Sequence, residues 1–465
     1  MNTYFNTHSH TMYSNIRLLD CINRPKDLIK KAIELGMSGI AITDHECLSA
    51  HMEVNQFAKE LQEKNPDFTI ALGNEIYLTD TRDKGQKYYH FILIAKDEIG
   101  HKALRELSSI AWYNSYVDRG MERVPTLKSE LEEIVNKYPG HLIATTACIG
   151  GELGSEIILM EECERVNDAT NAMLHRNQII DLITFCKNLF GEDFYIECAP
   201  SDMKDQIAVN KRIEAIASTF SVNVVVGTDA HYLTEKDRMV HKAYLNSKDG
   251  EREVDDFYQF SRLMSPDECR ELLKLSYTDE FINQIYLNSL ELMNKISFYS
   301  LERKQMVPKV KVTDYSPYQD KWKFSNHQLL NELLTSDNIQ ERYWVNECLI
   351  SLEEKGFLLH DEYLNRLEIE ADVIKYIGEK LDDCLFAYFN TFKHYIDLFW
   401  ECGSIVGPGR GSATGFLSNY LLGITQLDPI RWNLPYWRFL NKERAELPSL
   451  LLILGSCKKR TLTIA

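Results

Sequence analysis

Several signals are missing from this 465-residue chain, and each absence removes a class of protein. No stretch approaches the ~20 consecutive apolar residues of a membrane-spanning helix, so no membrane span is predicted. The N-terminus MNTYFNTHSH lacks a basic segment followed by an apolar core, so no signal peptide is read there and the cytoplasm is the expected compartment. The eleven cysteines are odd in number and include no CxxC pair, which argues against a disulfide framework and for reduced thiols. Basic residues are outnumbered 52 to 69 by acidic ones, for a net charge of -17. A blanket nucleic-acid-binding surface is therefore excluded, and contact with phosphates would need local basic groups or metal ions. Repeats and low-complexity tracts are also absent. What remains is ordinary globular composition, 44% hydrophobic and 26% charged, in a chain long enough for two or three domains.

The most informative stretch is Thr7 to Ser14, THSHTMYS, read as the end of a short N-terminal strand. Residues two apart on a strand point to the same side, so His8 and His10 can converge on one ion. The theme recurs over the first 250 residues. Short apolar runs end in or carry a metal-capable residue: SGIAITDH with His45, FTIALGNEIYL with Glu75, YYHFILIAK with His90, HLIATTAC with Cys148, and NVVVGTDAHYL with Asp229 and His231. Amphipathic helical stretches separate them, which predicts a parallel sheet with helical crossovers closed into a barrel. In such barrels the chemistry sits at the C-terminal ends of the strands. Imidazoles, carboxylates and one thiolate suit zinc, or zinc with manganese or iron, better than magnesium. Two or three such ions would serve phosphoester hydrolysis.

The motifs HSH, TDH, the Glu of GNEIYL, the His of YYHFIL, the Cys of TTACIGGEL and DAH resemble those of the PHP (polymerase and histidinol phosphatase) domain. The resemblance implies metal ligands at His8, His10, His45, Glu75, His90, Cys148, Asp229 and His231, with Asp20 as the remaining carboxylate. His8, His10, Glu75, Asp229 and His231 would form the catalytic part of that set. Asp44 is read as support beside His45. Glu197 and Cys198, which end the run DFYIECAP, are given no role, and His51, His101, His141 and His241 are taken as solvated.

Beyond residue 245 the strand theme stops and helical periodicity takes over, with RKQMVPKVK (303–311) reading as a domain connection. The second informative stretch is GPGRGSATG (407–415), followed by FLSNYLLGITQLDPIRWNLPYWRFLNKERAELP. Glycines let backbone amides approach phosphate, Arg410 can fork onto its oxygens, and Ser412 can donate or cap the following helix. A Walker loop is excluded by the missing Gly-Lys-Ser/Thr ending. This string resembles the palm of the C-family bacterial DNA polymerase III α subunit. The resemblance implies triphosphate binding by Gly409, Arg410, Gly411 and Ser412, with Arg438 and Asn441 shaping the palm. It also implies a following strand with two aspartates that hold magnesium for nucleotidyl transfer. Here the corresponding segment, Pro448 to Leu454, is PSLLLIL, with Leu451 and Ile453 where the aspartates are expected.

The expected architecture is α/β: a distorted (β/α)7-type PHP barrel at 1–245, a helical connector at 246–311, and a mainly helical α+β partial palm at 312–465. The chain reads as an N-terminal portion of a bacterial or phage-type replicative DNA polymerase, truncated before a complete catalytic centre and not polymerase-competent alone. Its PHP domain is expected to act as a 3′-5′ exonuclease or phosphatase. DNA, deoxynucleoside triphosphates, magnesium and replisome subunits such as the sliding clamp are the implied partners of the complete enzyme, with no membrane. The alternative reading is a free-standing PHP phosphatase acting on a small phosphomonoester such as histidinol phosphate.

Overall fold

A computed structural model describes residues 3–16, 19–83, 85–118, 121–247, 258–304, 306–316 and 321–444. The apolar segment 448–454 and the basic tail after it lie outside the described residues. The chain divides into two compact units, Met1–Glu302 and Arg303–Ala465. Among the described residues no helix is long and apolar enough to cross a membrane.

Among the described residues the first unit contains ten strands: β1 (Phe5–Asn6), β2 (Gly39–Ile42), β3 (Thr69–Thr79), β4 (Tyr89–Ala95), β5 (Tyr116–Asp118), β6 (Met121–Arg123), β7 (Pro125–Leu127), β8 (Leu142–Thr145), β9 (Phe194–Cys198) and β10 (Asn223–Val226). Seven lie side by side in the order β1, β2, β3, β4, β8, β9, β10, with β7 paired to β3. Thr7 N donates to Val226 O (3.3 Å) and His10 N to Ala230 O (3.0 Å), which joins the two ends into a nearly closed barrel. Helices such as Pro25–Glu34, His51–Gln62 and Lys204–Phe220 cover its outside.

The sheet departs from the all-parallel expectation at one strand. β4 runs antiparallel to both β3 and β8. The reason is local: only residues 80–88 separate β3 from β4, too few for a helical crossover, so the chain turns straight back. The consequence is functional. An antiparallel strand brings its N-terminal end to the barrel mouth, and that is where His90 sits.

Strand alternation sorts the core. In β2, Ile40 and Ile42 pack outward against the helices, whereas Ala41 joins Phe5, Ala71, Ile92, Ile143 and Val225 in a separate interior cluster. Leu292 of helix Asp279–Asn294 belongs to the same interior set. That helix is tied to the strand starts by Phe5 N donating to Ser289 Oγ (3.1 Å) and Asn288 Nδ2 to Val224 O (2.9 Å). It stoppers the barrel at the end away from the histidines. Helices Pro266–Leu273 and Asp279–Asn294, expected within a connector, thus build the barrel core through Cys269, Leu273, Ile282 and Ile285.

The second unit has its own core, around Trp344, Leu349, Leu367, Ile374, Phe386, Phe389 and Phe416. Its organising polar contact lies on helix Asp361–Leu381. Glu370, fully buried, accepts from Leu417 N (2.6 Å), Ser418 N (2.8 Å) and Arg366 Nε (2.9 Å). The Arg366 guanidinium also donates to Gly415 O and Leu434 O, both at 2.7 Å. One arginine–glutamate pair therefore fixes the glycine-rich loop and the helix that follows it.

Burial pushes the Glu370 carboxyl from its ordinary 4.5 up to about 7 against these donors. A carboxyl raised in the folded state binds more protons than in the unfolded one, so stability falls as pH rises from 4.5 to about 7. That window is worth about 3 kcal/mol for this one group. In urea melts of the full chain at pH 5 and pH 8, tryptophan fluorescence reads chiefly this unit, since Trp322, Trp344, Trp400, Trp432 and Trp437 lie in it. The Glu370→Gln variant is expected to lose most of the wild-type difference between the two pH values. Equal pH dependence in both proteins would show that Glu370 stays ionised throughout.

Candidate metal centre

Nine polar side chains meet at the mouth of the barrel. His8 and His10 follow β1, His45 follows β2, Glu75 lies within the long β3, and His90 is near the start of β4. Cys148 follows β8, and Asp229 and His231 follow β10, while Asp20 comes from the loop after the short helical turn Met12–Ile16. His8, His10 and Glu75 are completely buried, and Asp20, His45, Cys148 and His231 are buried too. Three groups have ligand atoms within 4.8 Å of one another: His10, His45 and His231; His8, His10 and Glu75; and Glu75, His90 and Cys148. His10 and Glu75 each belong to two groups, so the three sets adjoin.

Asp20 and Asp229 complete the cluster. Asp20 Oδ2 lies 2.7 Å from His45 Nε2 and 3.0 Å from His231 Nε2. Asp229 Oδ1 lies 3.2 Å from His8 Nε2 and 3.1 Å from His10 Nε2. Glu75 approaches His90 Nδ1 at 2.7 Å and also meets His45 Nδ1. Despite these approaches, both Glu75 oxygens and Asp229 Oδ1 are buried without a hydrogen bond of normal geometry. Lone pairs converging on one space without donors are what a cation would satisfy, so the residues present fit a divalent metal cluster.

The electrostatics of the pocket follow from this crowding. Burial disfavours an imidazolium at His8, yet Asp229, Glu197 and Glu75 outweigh it and hold that ring well above its ordinary pKa. His10 goes the other way, lowered to about 3 by burial and by the neighbouring His45 and His231. Burial also opposes ionisation of Asp20, but His231 and His45 keep it well below the ordinary carboxylate range. Burial, with Asp229 and Glu75, pushes the Cys148 thiol up, and a bound dication would reverse that.

The histidines are held from behind, which fixes which nitrogen each ring presents. His8 Nδ1 is 2.7 Å from Glu197 Oε1, leaving Nε2 to the centre. His10 Nδ1 meets Ser14 Oγ (3.1 Å), whose hydroxyl donates to Asp44 Oδ1 (2.7 Å). Asp44 thus reaches His10 through Ser14. His231 Nδ1 meets Asp229 O at 2.8 Å.

The structure corrects the sequence reading at Glu197. It was given no role, yet it orients His8 and accepts from Thr7 Oγ1 (2.8 Å) and Thr145 Oγ1 (3.0 Å). A Cβ on Gly227 would lie 2.4 Å from its carboxylate, so that glycine is required by close approach. The available signal was a carboxylate inside the otherwise apolar strand FYIEC, where burial demands partners. Tyr258, also missed, donates to Asp20 Oδ1.

His51, His101 and His241 are buried rather than solvated. His51 bridges His101 Nε2 (3.0 Å) and Gly73 O (2.9 Å), and His241 Nε2 lies 2.6 Å from Asp20 O. Each sits on the inner face of a helix, a position that strand-end pattern matching ignores. His141 is half-buried against Asp97 (2.7 Å), and Cys198 is a core thiol.

In the second unit, Arg410, Gly411 and Ser412 are exposed and Gly409 is half-buried. Gly409 has φ +122° and its Cβ position falls 2.7 Å from Thr414, so no other residue fits without strain. Ser412 does not cap the helix Leu417–Leu421; Glu370 serves that end instead. Arg438 is exposed, and the Asn441 side chain accepts from Glu443 N (3.1 Å) and Arg444 N (3.0 Å) in its own turn.

Comparison with known families matches a PHP domain to residues 6–201 and the bacterial DNA polymerase III alpha NTPase domain to residues 328–451. The chain is 38% identical, over 95% of its length, to the probable DNA polymerase YorL of Bacillus subtilis strain 168, of which 36% is covered. It is 29% identical to the DNA polymerase III subunit alpha of Borreliella burgdorferi, covering 96% of this chain and 34% of that protein. Identity to the Campylobacter jejuni subunit is also 29%, over 97% of this chain and 36% of that one. The chain thus spans about a third of the length of these relatives. The PHP match and the clustered ligands together support divalent metal binding. The chain thus carries a PHP-domain match and a bacterial DNA polymerase III alpha NTPase-domain match, and it is similar along almost all of its length to proteins named as DNA polymerases.

Proposed function

We propose that the PHP centre hydrolyses phosphodiesters, removing nucleotides from the 3′ end of DNA, within a polymerase devoted to replication. The observation that carries this reading is the sharing of His10 and Glu75 among three adjoining ligand groups. That arrangement suits two or three ions a few ångströms apart. Ions held there would supply Lewis-acid activation of water and neutralise charge on the phosphoryl oxygens. The chain's own residues do the positioning. His8, His10, Glu75, Asp229 and His231 present their ligand atoms inward, with Asp20, His45, His90 and Cys148 completing the set. Glu197 and the Ser14–Asp44 relay keep the His8 and His10 rings from turning. The mixed imidazole, carboxylate and thiolate donors favour zinc, manganese or iron over magnesium.

In the complete polymerase, DNA and deoxynucleoside triphosphates are the proposed substrates, magnesium the cofactor of nucleotidyl transfer, the sliding clamp a partner and the cytoplasm the compartment. Gly409, Arg410, Gly411 and Ser412 would cradle the triphosphate. A free-standing phosphatase leaves the match over 328–451 without a purpose.

Four measurements test this. Metal-replete protein should degrade single-stranded DNA from its 3′ end, and His10→Ala should lose most of the metal held by the two ligand groups it serves and nearly all hydrolysis. Full metal content with no hydrolysis would leave a structural role for the ions. Chelation is expected to lower the melting temperature of the wild type more than that of His10→Ala, which keeps only the Glu75, His90 and Cys148 group, because metal binding and folding are coupled. Glu197→Gln should weaken metal affinity roughly 10–100-fold and alter the pH profile of metal uptake, and an unchanged affinity would remove Glu197 from the centre. Templated primer extension by this chain alone should give no incorporation, because residues 447–465 contain no Asp or Glu.

A further inference from the structure

Beside the metal centre lies a cavity of about 310 Å³ that shares Cys148 and Asp229 with it. Its volume falls in the ~300–1,000 Å³ range of small-molecule sites. Its walls differ in character from the metal centre. Its wall is mostly apolar, and Ile149, Ile158, Pro200, Met203 and Phe260 are among the residues lining it. Among the described residues no lysine or arginine lines it, and the one charge beyond Asp229 is Asp205. A second phosphate would therefore find no cation among those residues. A flat, neutral, partly apolar group with some polar edge fits.

One hydroxyl is already waiting for such an edge. Thr228 lines the cavity, is 3% exposed, and its Oγ1 has no hydrogen-bond partner. An unsatisfied buried hydroxyl costs stability unless something pairs with it. The Phe260 wall is also coupled to the ligands, because Ser261 O accepts from His231 N at 2.8 Å. The ring is thus held in register with the site where a phosphate would be attacked.

We infer that this cavity receives the base of the terminal nucleoside while the adjoining metal centre takes its phosphate, with Phe260 as a stacking wall and Thr228 as a polar contact. Base stacking on an aromatic side chain is sequence-tolerant because every base has a π face, so any of the four nucleotides would be accepted. The inference rests on the phosphodiesterase reading for its substrate class, but its test does not need turnover.

The test is equilibrium binding of dAMP, TMP and 2-deoxyribose 5-phosphate to the manganese-loaded full chain. Both nucleotides are expected to bind about tenfold or more tightly than the base-free sugar phosphate. Phe260→Ala should bring that ratio to within about twofold, and Thr228→Val, which keeps the shape, should lower it by severalfold. Manganese content and melting temperature certify that each variant is folded. Equal affinity for base-bearing and base-free ligands in the wild type would overturn the inference, as would an unchanged ratio in both folded variants. If the ratio behaves as expected while DNA hydrolysis is absent, the base pocket stands and the nuclease reading falls.

Discussion

The barrel mouth is governed by the cost of gathering charge where water is excluded. Glu75 and Asp229 both approach His8 Nε2, at 3.4 and 3.2 Å, with Glu75 fully buried and Asp229 largely so. Two unit charges 4 Å apart interact by about 4 kcal/mol at an effective dielectric of 20, so unneutralised neighbours of like sign would strain the fold. Protonated imidazoles offset part of this, as the raised His8 and the depressed Asp20 indicate. They cannot offset all of it, because His10, at the centre of the cluster, is pushed toward neutrality by burial and by His45 and His231. A neutral imidazole between carboxylates is a ligand awaiting a cation, and the same crowding that costs stability without metal confers affinity with it.

The rest of the barrel resists that crowding by rigidity. The loops that carry the ligands contain left-handed backbone at residues other than glycine: Glu46 after His45, Ala147 before Cys148, and Asp229 itself, at φ +53°, +57° and +46°. Each such residue costs of order 1 kcal/mol and persists because its surroundings overdetermine it. Trp112 Nε1 donates to Glu46 O, 2.6 Å away. Tyr232 and His231 are anchored to the segment 258–261. The antiparallel β4 belongs to the same design, since only a reversed strand places His90 at the mouth while Ile92 and Ile94 fill the interior.

How much of this was legible in the sequence divides along a physical line. Ligands whose positions follow from local pattern were readable: His8 and His10 by alternation, His45, Cys148, Asp229 and His231 by their places after apolar runs. Asp20 was a weaker inference because it belongs to a loop, and its placement depends on Tyr258 and His241, far away in the chain. Glu197 was invisible as a partner because its role is defined by three residues from other strands or strand ends, His8, Thr7 and Thr145. The strand direction of β4 was not in its composition but in the length of the link before it. Pattern reports what a segment can be; it does not report what packs against it.

The two units organise their polar groups with different devices. The first concentrates carboxylates and imidazoles so that cations must be recruited. The second presents an exposed arginine on a glycine-rich loop whose shape is set from below by a single buried ion pair. These devices respond oppositely to solvent. A metal cluster is silenced by acid, which protonates its ligands, whereas Glu370, raised by burial, favours the folded second unit when protonated. A fall in pH would therefore be expected to release metal from the first unit while leaving the loop scaffold of the second intact. The metal centre of the first unit and the loop scaffold of the second are thus expected to respond separately to pH.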